Sequence, residues 1–145
     1  MIVRQDALAI ETKLNSIRIR FQTLIATPQS LPTGYDNDLE FQQPSSGVWA
    51  RLSIRLADAM LREIGATKRI RHAGVIFVQL FDELGRGDKR LLALTDQIDQ
   101  NFRDKLVDSV TYREVTVVRI GQETLGQYQM NVHIGFQFDE IFQSP

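Results

Sequence analysis

Between Arg4 and Ala26 the apolar residues Ile10, Leu14, Ile17, Phe21 and Leu24 recur at intervals of three and four. That spacing predicts a helix over 4–26 with one apolar stripe, and Glu11, Lys13, Arg18 and Arg20 on its remaining surface. Thr27-Pro28 ends it, because the residue before a proline is pushed out of the helical region. A loop over 27–47 follows and holds three of the four prolines. Leu39–Gln42 reads as a short edge strand inside it, since flanking prolines bar a central position. Val48–Leu56 then alternates cleanly. Val48, Ala50, Leu52, Ile54 and Leu56 face one way, and Trp49, Arg51, Ser53 and Arg55 the other.

Arg69–Phe81 reads as a strand whose second half is apolar on both faces, which suits the centre of a sheet. Tyr112–Ile120 and Tyr128–Phe138 are the next two. In the last, Tyr128, Met130, Val132, Ile134, Phe136 and Phe138 oppose Gln129, Asn131, His133 and Gln137. Leu91, Leu94 or Thr95, Ile98 and Phe102 return to helical spacing, which places a second helix over 88–103. The order predicts one α+β domain over 1–145. Its mixed or antiparallel sheet has four to five strands, two helices pack on one face, and a tail occupies 139–145.

The segment "ELGRGDK" (Glu83–Lys89) joins the third strand to the second helix. Its Arg-Gly-Asp would be an adhesion signal only on a secreted chain. A phosphate loop would want a hydroxyl behind the lysine and no carboxylate in the anion's place. The structural reading is preferred: Gly85 and Gly87 supply positive φ for a tight reversal, and Asp88 caps the helix.

Composition acts mainly by exclusion. The formal net charge of −1 gives no global field toward nucleic acid or anionic lipid. The absence of cysteine removes disulfides and thiolate metal sites, and leaves a cytosolic origin the simplest reading. The opening "MIVRQDALAIETKL" is broken by charge too early for a secretory signal. Apolar runs such as "GVIFV" are too short to span a bilayer, so no membrane partner is expected.

Catalytic chemistry is not visible. His72 and His133 are the only histidines, each within a strand, and read as satisfied structural residues. No hydrolase or zinc-protease motif appears. "DNDLE" (Asp36–Glu40) starts like a calcium loop, but Phe41 stands where such a loop needs glycine, so a solvated acidic turn is preferred. No catalytic residue, metal ligand or cofactor site is therefore expected.

Two features bear on contacts. Arg51, Arg55, Arg69 and Arg71 fall on positions that alternate with the apolar face. They form either a solvated face balanced by Glu114, Asp58 and other acids, or an interface patch. The connection over 57–68 is long for a hairpin and carries Met60, Leu61 and Ile64. It either folds back on the domain or projects as an arm that docks elsewhere.

Taken in order, Tyr35, Asn37, Phe41, Pro44, Trp49-Ala50-Arg51, Gly74-Val75, Gln79, Phe81, Gly85-x-Gly87, Asp96, Phe102, Gln129-x-Asn131 and Asp139-Glu140 resemble the tail-terminator proteins of long-tailed bacteriophages, the group that includes the lambda tail terminator. The likeness spans residues 1 to 140, departing at the long first helix and over 57–68. It implies a non-enzymatic virion protein without cofactor, built at the tail–neck junction after synthesis in the host cytoplasm. Its implied partners are other copies of itself in a hexameric ring, the tail tube protein it caps, and the head-completion or neck protein that docks on it. Genome DNA would pass through the ring without sequence recognition. Arg51, Arg55, Met60, Leu61, Ile64, Arg69 and Arg71 are the candidate subunit or tube contacts. Another ring-forming neck or head-completion protein is the main alternative, and a small ligand-binding domain or enzyme the remoter one.

Overall fold

The computed structural model describes residues 6–57, 59–61, 67–122 and 126–143. Helix α1 spans Asp6–Phe21 and continues as one π-helical turn over Gln22–Ala26. The wider turn advances the apolar stripe. Ile25 and Ala26 thereby join Ile17 and Phe21 in the core, while Leu24 is only half buried. The chain leaves the helix through Thr27, whose N–H donates to Gln22 O at 2.9 Å.

Seven strands follow: β1 (Thr33–Gly34), β2 (Trp49–Leu56), β3 (Met60–Leu61), β4 (Thr67–Glu83), β5 (Leu106–Val107), β6 (Val110–Gln122) and β7 (Gln127–Gln143). Helix α2, Lys89–Phe102, stands between β4 and β5. The sheet order is β1-β2-β4-β7-β6-β5, with β3 also on β4. Among the described residues only β1 pairs in parallel, with β2. β4 and β7 run antiparallel along their full length, from Thr67 opposite Gln143 to Glu83 opposite Gln127. The apolar-on-both-faces strand is thus central, as its composition requires.

Register decides the faces. Leu52, Val78 and Val132 lie in one row across β2, β4 and β7, and Ile54, Ile76 and Ile134 in the next. These rows meet both helices through Ile17, Phe21, Leu91, Leu94, Ile98 and Phe102, all nearly inaccessible to solvent. Phe21 and Phe102 join the two helices, ring centroids 6.5 Å apart, and Tyr112 meets Phe102 edge-on at 5.1 Å. Burying each such side chain contributes about 1.5–3 kcal/mol.

Four expectations need correction. The sheet exceeds four to five strands because three two-residue strands, β1, β3 and β5, extend it. Leu39–Gln42 is not a strand; the edge is taken by Thr33–Gly34, and Phe41 instead lies against Trp49, 5.9 Å between centroids. Residues 139–143 are not a tail, because Thr67–Arg71 gives them an antiparallel partner. Within 57–68, Met60 and Leu61 pair with Arg71 and Ile70, and Thr67 and Lys68 already belong to β4. Ile64 and the rest of 62–66 lie outside the described residues, as does Asp58.

Candidate interaction surfaces

Both helices sit on one face of the sheet, so the odd-numbered side chains of β2, β4 and β7 form a second face that no helix among the described residues covers. Arg51 pairs across with Gln79, which pairs with Asn131; Arg55 meets Val75, then Gly135. At one end of this face Trp49 stacks on Phe81 at 4.2 Å, and the Arg51 guanidinium lies 5.6 Å from the Trp49 ring. Further along, Arg55 lies 5.3 Å from the Phe77 ring, and Phe77 meets His133 edge-on at 4.7 Å. Such stacking orients a guanidinium while leaving its N–H fork free. Among the described residues neither Arg51 nor Arg55 pairs with a carboxylate.

Arg69 and Arg71 share this face but not this state. Arg71 donates to both oxygens of Asp139, at 2.9 and 3.2 Å, and Arg69 lies 3.9 Å from the same carboxylate. The hydrogen bond and charge of Asp139 raise the Arg71 pKa further above its ordinary value. Because Arg55 stands opposite Val75, Arg71 is four residues further along β4, about 13 Å at the rise of a strand. The four arginines therefore share a face but split into two without a carboxylate among the described residues and two that share the Asp139 carboxylate. The balancing acid is Asp139; Glu114 sits over Gly135 instead, 3.8 Å from Arg113.

Gly85 and Gly87 adopt φ of +84° and +72°, as a tight reversal requires. Asp88 occupies the N-cap position, yet its side chain makes no capping bond. Its carboxylate pairs instead with Arg119 of β6, which also donates to the Tyr128 hydroxyl at 3.2 Å. The cap expectation is corrected accordingly: Asp88 ties the helix start to the sheet. Arg119 had no sequence signal, since its partner lies 31 residues away.

The two histidines face opposite ways. His133 is on the open face, while His72 is buried on the helix side, stacked on Phe138 at 5.0 Å. His72 Nε2 approaches Glu140 Oε1 at 3.7 Å, and neither that nitrogen nor either Glu140 oxygen has a hydrogen-bond partner among the described residues. In the acidic turn, Asp36 accepts from the Ile54 N–H at 2.9 Å and lies 3.7 Å from Arg18. No group of three or more His, Cys, Asp or Glu that could hold a metal occurs among the described residues. A groove of about 760 Å³ between α1 and the β5–β6 turn is crossed by bonds from Lys13 and Ser16 to Asp108.

Residues 14–136 match the family model described as phage tail terminator protein. A solved structure that carries no functional description is 18% identical, covers 86% of this chain and 94% of its own, and superposes with a TM-score of 0.64. That likeness concerns the fold alone. No functionally curated protein matches.

Proposed function

The chain belongs to the phage tail terminator family, and from that premise we propose that six copies form a ring on the end of the tail tube. The ring stops polymerisation of the tube and offers the head, through its neck or completion protein, a surface to dock on. Genome DNA passes through its opening without being read. The protein then resides at the tail–neck junction of the virion after synthesis in the host cytoplasm, and its role is structural rather than catalytic.

One observation carries this reading beyond the family: the sheet face, without a helix over it among the described residues, on which Arg51 and Arg55 are held over Trp49 and Phe77 with no carboxylate partner among those residues. Arginine over aromatic rings is the combination that concentrates binding energy at protein interfaces. A face of this kind suits an acidic surface on a neighbouring subunit or on the tube. The segment 57–68, with Met60, Leu61 and Ile64, is a second contact in the same reading, and Arg69 and Arg71 flank it on β4.

Reversing Arg51 and Arg55 to glutamate should abolish capping while leaving the fold intact, since both side chains are exposed. The check is tail length by electron microscopy beside thermal unfolding of the purified variant. Tails of normal length from that double variant would remove this face from the assembly.

A further inference from the structure

The groove between α1 and the β5–β6 turn, about 760 Å³ in volume, is mainly apolar, with Ile19, Leu24 and Val107 along it. Ile19 stands on the helix with 63% of its surface exposed. Two cations border the groove. Lys13 donates to the Asp108 carbonyl at 2.9 Å, and Arg20 donates to the Asn101 carbonyl while lying over the Phe102 and Tyr112 rings. Both acceptors are main-chain oxygens, and neither cation pairs with a carboxylate among the described residues. The one acid of the lining, Asp108, accepts from the Ser16 hydroxyl at 3.1 Å.

The segment that complements this groove is a closed turn. The Glu40 N–H donates to Asp38 Oδ1 at 3.2 Å, and Asn37 before it has a φ of +55°. An aspartate bonded to the backbone two residues on holds such a turn in shape without a neighbour. Leu39, between the two acids, is 94% exposed. Asp38 and Glu40 have no cationic partner among the described residues. An apolar knob between two acids matches an apolar groove beside two cations in both surface and sign. Arg51 and Arg55 also lack a carboxylate, at this turn's own end of the sheet. There, however, the guanidiniums lie over Trp49 and Phe77, the rings on which Leu39 would have to sit.

The turn and the groove belong to opposite flanks of the first helix. On one flank Arg18 faces Asp36, and Gln22 accepts from the Tyr35 hydroxyl at 2.6 Å. On the other, Lys13 and Ser16 face Asp108, and Arg20 faces Asn101. Arg18 and Arg20 are two residues apart, about 200° of helical rotation. A helix about 10–12 Å across therefore stands between the turn and the groove of the same copy.

We propose that the Asp38–Glu40 turn of one copy seats Leu39 in the groove beside α1 of the next copy, with its two acids toward Lys13 and Arg20. The proposal rests on the ring reading above and names its joint. A contact between two different flanks is head-to-tail. It repeats from copy to copy and closes as a ring, where a self-complementary contact would stop at a dimer.

The chain has no native cysteine, so engineered pairs report cleanly. A chain carrying both Leu39→Cys and Ile19→Cys should, on oxidation, give a reducible ladder of bands up to the hexamer, while each single variant stops at dimers. Leu39→Ser and Ile19→Asp should each weaken ring formation at least tenfold, read by light scattering, without changing the thermal melt, since both side chains are exposed. No ladder from the double variant, while the unsubstituted chain forms rings, overturns the joint and leaves the ring reading standing. Rings that form as readily from Leu39→Ser do the same. So does an equal ladder from Leu39→Cys with Ser53→Cys, which would seat the turn between Arg51 and Arg55 of another copy. An unsubstituted chain that stays monomeric both alone and on tube ends overturns the ring reading and the joint together.

Discussion

His72 Nε2 and Glu140 are buried together at 3.7 Å, and neither that nitrogen nor either carboxylate oxygen has a hydrogen bond among the described residues. Removing one partner strands the other, so His72→Phe should destabilise the domain by about 1–3 kcal/mol. Adding Glu140→Leu should recover most of that loss, because replacing both groups removes the unpaired carboxylate. Urea unfolding of the four chains of this cycle gives the coupling, and strictly additive losses would contradict it. Tyr112 provides a pH test. Burial, the largest cause, pushes its pKa up to about 12; Arg20 opposes this and Asp108 adds to it. The folded state therefore keeps the phenol proton where the unfolded chain, with a pKa near 10, loses it. The unfolded state then binds fewer protons, so stability is intact below pH 10 and falls as pH rises from about 10 to 12. Tyr112→Phe should flatten that fall, read as the midpoint of unfolding against pH; Tyr35, also raised to about 12 by burial, retains its share. At this scale the sequence was legible where one residue dictates its own backbone, as at Gly85 and Gly87. It was not legible for Asp88, whose partner Arg119 is distant in the chain and near only once β6 lies beside the start of α2.

Among elements, the long β4–β7 pair is the one whose ends were misjudged. Its middle was legible because alternation and apolar runs continue there over Gly74–Phe81 and Tyr128–Phe138. Its far end carries Asp139 and Glu140, charges that read as a tail in the sequence, although Arg69 and Arg71 opposite them already read as strand. The two acids become strand because Asp139 meets the arginines and Glu140 meets His72 across the ladder. The same lesson applies to Leu39–Gln42, where a strand pattern exists and the subunit provides no edge beside it. Gly74 has a different constraint: a Cβ there would collide with the Arg55 carbonyl and come within 2.8 Å of the Phe136 ring. The colliding atom on β2 is backbone and cannot swing aside, so Gly74→Ala should lower stability measurably by forcing β2 and β4 apart, on the order of 1–3 kcal/mol. A melt unchanged by Gly74→Ala would show that the strands yield there. Met60 and Leu61 belong to the sheet by their pairing with β4, so a deletion that probes the 57–68 contact should be confined to 62–66. Replacing those five residues by a short glycine turn should leave thermal unfolding unchanged while tails grow past their normal length.

For the whole molecule, the order of helices and strands followed from periodicity, and the placement of both helices on one side followed from the apolar faces. What no periodicity could state is that no described helix covers the other side of the sheet, or which arginines on it have no carboxylate partner among the described residues. The central claim is that this chain ends tail growth. The most direct measurement is the length of tube assembled from purified tube subunits, with this chain present or absent, by electron microscopy. The account predicts that the chain caps tube ends and halts their elongation, with six copies per capped end. Tubes that elongate at the same rate and to the same lengths with or without it would contradict the account.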